Sequence, residues 1–410
     1  MNRIIRRFLA AFLALLFTGC AAAPADLTEG IRPDLADTFL TDSAAASASE
    51  FAVQLLRETA EPGTSTLVSP LSVLSALGMT SLGAQGETLS QMEAVFGIPA
   101  DELASTMCAW LSTLPRSGDV TLRLANSVWF TDESRFTVSN GFLQKNADYY
   151  GADAYQLPLD SAAVRSVNQW VSEKTDGQIK KILDDISPDA VMLLANAVSF
   201  DAEWQDIYEK QQVRKTDFTG EDGTTVRTDM MYSTEYGYLA DEYAEGFVKY
   251  YKGRKYAFAA LLPKEGMSVE EYLDTLTGEG LYRMLSAPEG RTVHAGIPTF
   301  ESGTSVELSS VLCEMGMPDA FDPQKADFTG MGTSEAGNIF ISRVLHKTTI
   351  TVDARGTKAG AATVIEMTDG ASAEMEEPKV VILDRPFVYM LLDCDTALPF
   401  FIGTMMDPTK

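Results

Sequence analysis

The sequence predicts one large domain whose C-terminal part is built of strands, with a movable segment among them. Three neighbouring stretches carry that reading. Residues 353–367, DARGTKAGAATVIEM, hold Gly356, Gly360 and the small or hydroxyl residues Thr357, Ala359, Ala361, Ala362 and Thr363. Small residues in extended chain cost little to move and clash with nothing on entering a sheet between two existing strands. The preceding run, residues 339–352 (IFISRVLHKTTITV), is rich in β-branched residues and lacks Gly and Pro, which predicts a long, largely buried strand. Downstream, RPFVYMLLDCD and LPFFIGTMMDP are apolar runs joined at Asp395-Thr396-Ala397, a buried hairpin. A flexible segment of about thirty residues between such rigid elements is uncommon in a compact domain and is usually functional.

The N-terminus reads separately. Arg3, Arg6 and Arg7 precede the apolar run FLAAFLALLF at residues 8–17, which is too short to span a bilayer and has signal-peptide form. Thr18-Gly19-Cys20 follows at once and resembles a bacterial lipoprotein cleavage box, which makes residues 1–19 the signal peptide and Cys20 the acylated first residue. Phe17 departs from that pattern, which prefers Leu. The alternative is an ordinary secretory signal cut near Ala23, with Cys20 discarded. Both readings imply export. Residues 20–43, rich in Ala, Thr, Ser and Asp, then form a flexible tether, and residues 44–410 form the single domain.

Composition fits a soluble domain, with 45% apolar and 22% charged residues, no dividing Pro/Gly/Ser linker and no internal repeat. The formal charge is −26; removal of residues 1–19 leaves 29 basic against 58 acidic side chains, or −29. Such a charge argues against nucleic acid as a partner. Cys108, Cys313 and Cys394 have spacings and apolar neighbours that fit buried free thiols better than a disulfide framework or a zinc site. There are two histidines, His294 and His346, both in predicted strands, and no Gly-x-Ser-x-Gly, His-Glu-x-x-His or phosphate-cradling Gly loop. No catalytic set, metal or cofactor is expected.

Residue blocks along the whole domain resemble the serpin family. GTKAGAAT at residues 356–363 is similar to the family's hinge, a Gly-Thr followed by Ala and ending in Thr, and His346-Lys347 matches the strand before it. LVSPLSVLSALGMTSLGAQGETLSQM from Leu67, LANSVWF from Leu124, VNQWVSEKTDGQIKKIL from Val167, LLANAVSFDAEWQDIY from Leu193 and VELSSVLCEMGMPDAFDPQKADFTGM from Val306 follow in family order. The match runs from about residue 44 to 408.

The resemblance implies an α+β fold, about nine helices around three β-sheets with a large central sheet, and an exposed reactive-centre loop at about residues 353–379. It also implies a suicide-substrate mechanism. A serine protease attacks the loop and is acylated, the cut frees the hinge (Gly356, Thr357, Lys358, Ala359, Gly360, Ala361, Ala362 and Thr363), and the hinge enters the central sheet as a new strand that drags the protease along. The implied partners are a serine protease held covalently, with papain-like cysteine proteases as a further class, and a membrane reached through the lipid on Cys20. The protein is expected to be a monomer. By position in the matching blocks, Ser69, Ser72, Asn196 and His346 fall where the family keeps a polar cluster under the sheet, and Trp204 at the top of the gap. Helix capping for Ser69 and core packing for Trp204 remain alternatives. Departures from the pattern are Ala354 and Arg355 for the usual acids, Lys358 for a common acid, Gly360 within the Ala run, and Asp201-Ala202-Glu203 for Lys-Gly before Trp204. None adds Pro or bulk to the inserting segment, so an inhibitor is favoured over the alternative, a non-inhibitory serpin-fold binding or surface protein.

The cut site stays open between two counts. From Gly356 forward the family spacing places it after Gly370, and from Pro386 backward after Met375, so this loop is five residues longer than usual. The candidates are Gly370, Ala371, Ser372, Ala373 and Met375. TDGASAEMEE contains no Lys or Arg, which disfavours a trypsin-like acidic pocket, and its small and unbranched side chains suit elastase-like or subtilisin-like enzymes.

Overall fold

The computed structural model describes residues 24–33, 38, 40–114, 120–132, 134–187, 190–335, 337–357 and 377–410. A seven-stranded sheet runs through the molecule. Its strands in chain order are β1 (Ala25–Asp26), β2 (Val120–Phe130), β3 (Asp153–Gln156), β4 (Met192–Glu203), β5 (Phe300–Glu307), β6 (Leu345–Val352) and β7 (Gly356–Thr357). Across the sheet they lie in the order β1-β3-β2-β4-β7-β6-β5. The antiparallel β2–β4 ladder extends from Val120↔Ala202 to Phe130↔Met192.

Strand β4 shows why the sheet is covered on both faces. Its side chains alternate with period two. Val198, Phe200 and Ala202 enter the main core, whereas Ala195 and Ala197 lie beneath the helix Ser161–Lys174, which contributes Ala163, Val167, Trp170 and Val171 to a second apolar cluster. Asp160 starts that helix, its carboxylate accepting from the Ala162 and Ala163 amides.

The C-terminal hairpin forms as expected, Phe387–Asp393 against Leu398–Met405, and every residue of both strands is buried. It sits inside a six-stranded sheet covered on both faces, which explains the unbroken apolar runs. A four-stranded sheet made of Lys379–Ile382, Val293–Pro298, Thr225–Glu235 and Val213–Thr219 receives the chain where it leaves the loop region. Nine α-helices surround these three sheets among the described residues, and a two-stranded ribbon, Phe136–Val138 with Gly332–Ser334, is added to the expected plan.

The structure departs from the sequence reading in two places. The strand predicted from residue 339 begins only at Leu345, and it alternates: His346, Thr348, Ile350 and Val352 are buried, while Lys347 and Thr349 are exposed. Ile339 and Ile341 are core residues outside the sheet, and the Ile341 amide donates to Ala320 O. Apolar content alone made one strand of two different environments. The segment read as a tether is also partly folded, since Ala25 and Asp26 pair with Gln156 and Tyr155 of β3 and the first helix, Asp42–Thr59, is capped by Thr41. Cys108 is buried, Cys313 and Cys394 are half-buried, and all three are free. Among the described residues no helix is long and apolar enough to cross a membrane.

Candidate functional site

The loop expected to leave the sheet at residue 353 first turns back into it. Val352 pairs with Thr357, and on the other side Gly356 and Thr357 pair with Glu203 and Ala202 of β4. The hinge thus already occupies the top of the slot between β4 and β6. The turn is specified locally, because the Asp353 carboxylate accepts from the amides of Arg355 (2.7 Å) and Gly356 (3.3 Å), an Asx-turn. Four successive carbonyls then find donors: Asp353 O from Trp204 Nε1 (2.9 Å), Ala354 O from the Tyr208 amide (2.8 Å), Arg355 O from the Trp204 amide (2.8 Å) and Gly356 O from the Asp353 amide (2.9 Å). Gly356 is obligatory, since a Cβ there would meet Ala202 O at 2.0 Å. Arg355 Nη2 lies 3.3 Å from Glu203 Oε1.

A buried stack supports the hinge from below. Thr357, wholly buried, shares a 2.5 Å hydrogen bond between its hydroxyl and the Tyr251 phenol. Tyr251 stacks on Trp204 with centroids 4.4 Å apart and planes 10° apart. The Lys249 ammonium sits 5.4 Å from the Trp204 ring and 4.4 Å from the Tyr208 ring, and is paired with Glu235 at 2.9 Å. Only 2% of the Lys249 side chain is exposed, so its charge requires these partners.

The polar cluster lies lower in the same slot. Ser69 caps the helix Pro70–Ser81 through its hydroxyl, which accepts from the Ser72 amide and donates to Phe400 O (2.7 Å), while its amide donates to His346 Nε2 (3.0 Å). The Ser72 hydroxyl donates to Asn196, the Asn196 amide to Asn126, and the Asn126 amide to Tyr150 O (3.1 Å). The relay spans β6, the helix, β4 and β2, so hydrogen bonds tie together the strands that flank the slot. A cavity of about 20 Å³ lined by Leu194, Asn196, Leu345 and His346 lies between them, with room for about one water. Burial drives the His346 pKa down to about 4, so the imidazole is neutral with Nε2 as acceptor.

Four of the residues named from sequence, Ser69, Ser72, Asn196 and His346, therefore form one cluster. Trp204 is apart from them, under the hinge. The capping role of Ser69 and the packing role of Trp204 hold together with these contacts. Sequence reasoning missed Asn126, Tyr208, Glu235, Lys249 and Tyr251. Lys249, a lone cation inside the apolar run GFVKYY, was the one available signal, and Asp353-x-x-Gly356 was a turn signature. The hinge residues from Lys358 to Thr363, the cleavage candidates Gly370, Ala371, Ser372, Ala373 and Met375, and Cys20 lie outside the described residues.

Comparison with known proteins gives one answer. The family model described as serpin (serine protease inhibitor) matches residues 46–408. An uncharacterized serpin-like protein of Thermococcus kodakarensis is 30% identical over 365 residues, covering 87% of this chain and 84% of its own. The crystal structure of tengpin, a thermophilic serpin, in its native state is similar with a TM-score of 0.87 at 40% identity, covering 94% of this chain and all of that one; the latent state of tengpin gives 0.80 at 38% identity, covering 91% of this chain and all of that one.

Proposed function

This chain belongs to the serpin family, and on that premise we propose that it inhibits serine proteases of elastase-like or subtilisin-like specificity as a suicide substrate. Family membership supports a protease-inhibitor fold, in which the partner is a protease and the chain is generally no catalyst itself. One observation carries the finer reading: Thr357 already pairs on both sides within the central sheet and Gly356 pairs with β4, so the slot accepts a strand at the point where insertion begins.

The chemistry belongs to the target. Its serine attacks the loop, the peptide bond breaks, the C-terminal side leaves as an amine, and the N-terminal side remains esterified to the serine. With its far end released, the loop zips downward from Thr357 between β4 and β6. Each added residue gains backbone hydrogen bonds worth about 0.5–1.5 kcal/mol apiece against an ordering cost of about 1–2 kcal/mol. The near balance leaves apolar burial by Val364, Ile365 and Met367 to drive the motion. The His346–Ser69 and Asn196–Ser72 hydrogen bonds break and re-form as the strands part.

In the same reading, Cys20 is lipidated and holds the protein at the cell surface. Incubation with elastase-like, subtilisin-like and trypsin-like proteases, followed by denaturing electrophoresis, tests the proposal. An SDS-stable complex with either of the first two is expected. Cleavage without any complex would move the protein to the non-inhibitory class.

A further inference from the structure

We propose that Arg355 and Glu203 form a charged clasp that positions the hinge in its resting place at the head of the slot, an inference whose functional consequence rests on the inhibitory reading above. Glu203 is the last residue of β4 and the cross-strand partner of Gly356, the first residue of β7. Arg355 precedes that pair, and its Nη2 reaches the Glu203 carboxylate at 3.3 Å.

Three features make the pair a positioning device. The contact joins the hinge to one of the two strands that must separate, so it is made only while β7 is docked. The pair is partly shielded, with Arg355 and Glu203 side chains 36% and 22% exposed, and Arg355 Nε is buried with no hydrogen-bond partner among the described residues, which leaves the guanidinium dependent on Glu203. The two strand residues of β7 are themselves poor anchors, because Gly356 has no side chain and Thr357 contributes one hydroxyl contact. A two-residue strand needs further attachment to stay in register. The backbone bonds from Trp204 and Tyr208 supply part of it, and the ion pair supplies a part that salt and charge reversal can remove.

Hydrogen exchange on the uncleaved protein tests the clasp without any protease. The readout is the amides of residues 353–357 with those of Trp204 and Tyr208, which donate to the turn. Arg355→Glu and Glu203→Arg, each placing like charges together, should speed exchange there about tenfold. The double variant E203R/R355E should return it to within about threefold of wild type, a rescue that a purely structural role for either residue would not give. Raising salt to 1 M should speed exchange in wild type and leave either single variant no faster. Equal exchange in wild type and both singles, or a double variant faster than either single, overturns the clasp. If exchange behaves as expected and wild type forms no complex with any protease, the clasp stands and the inhibitory reading falls.

Discussion

Acidification is expected to loosen the slot through His346. In the folded chain its Nε2 accepts from the Ser69 amide, so protonation replaces a hydrogen bond with a buried clash of two donors. Burial sets its folded pKa at about 4 against the ordinary 6.5. Because the folded value is the lower one, the unfolded chain takes up the proton first; the stabilising contribution is complete above pH 6.5 and is lost as pH falls toward 4. At 1.36 kcal/mol per unit, the loss reaches about 3 kcal/mol at the acid limit and about 2 kcal/mol at pH 5. Side chains in contact with the site from the helix and β4, Ser69, Ser72 and Asn196, do not titrate in this range. The assay is urea unfolding of wild type and His346→Gln at half-unit steps from pH 7.5 to 4.5. Gln offers an acceptor that does not titrate, so the variant should be less stable at pH 7.5 and lack about 2 kcal/mol of the wild-type decline by pH 5. Parallel curves for the two proteins would refute the argument, placing the acid sensitivity in other groups.

Thr357→Arg should expel the hinge from the sheet, since it puts a cation in a wholly buried site at a cost of several kcal/mol; a protease should then cleave the loop at the normal rate while the yield of SDS-stable complex collapses. Mass spectrometry of the peptide released from the trapped complex should show a start at Ala371, Ser372 or Ala373, whereas a start at Glu376 would mean that the longer tether does not impair trapping. Cys20→Ser should release the protein from the membrane fraction or leave the precursor uncut, and unchanged fractionation would place any anchor elsewhere.

The C-terminal hairpin and the grouping of Ser69, Ser72, Asn196 and His346 were legible in the sequence because each depends on local chemistry or on blocks shared with a family, whereas the hinge beyond Thr357 lies outside the described residues. Unbroken apolar runs announce strands covered on both faces. The resting position of the hinge was not legible. It depends on Trp204, Tyr208 and Tyr251, which lie about a hundred residues or more upstream and approach the turn only through the fold, and on Lys249 and Glu235, whose pairing crosses two sheets. Arg355 and the acids before Trp204 stood out as separate departures, and only the Gly356↔Glu203 register joins Arg355 to Glu203 as partners. The strand start was misplaced for a related reason, since apolarity does not tell whether Ile341 is buried by a sheet neighbour or by a helix.

The pairing of Gly356 with Glu203 also turns β4 into a ruler. An antiparallel strand continued in that register matches each residue farther along the loop with the residue one step earlier in β4. On the proposed insertion, Lys358 would meet Asp201, opposite in charge; Ala362 and Val364 would meet Ala197 and Ala195 in the narrow space under the helix Ser161–Lys174; and Thr363 would meet Asn196, delivering a hydroxyl into the polar cluster. The ruler has an end. Its last mark, Met192, falls opposite Met367, so the ladder measures off about 40 Å of chain and leaves whatever lies beyond unpaired. A cut after Gly370 leaves three unpaired residues between the last rung and the protease, and a cut after Met375 leaves eight. On the proposed mechanism, the length of β4 would thereby fix how closely a captured enzyme is drawn against the far pole of the sheet.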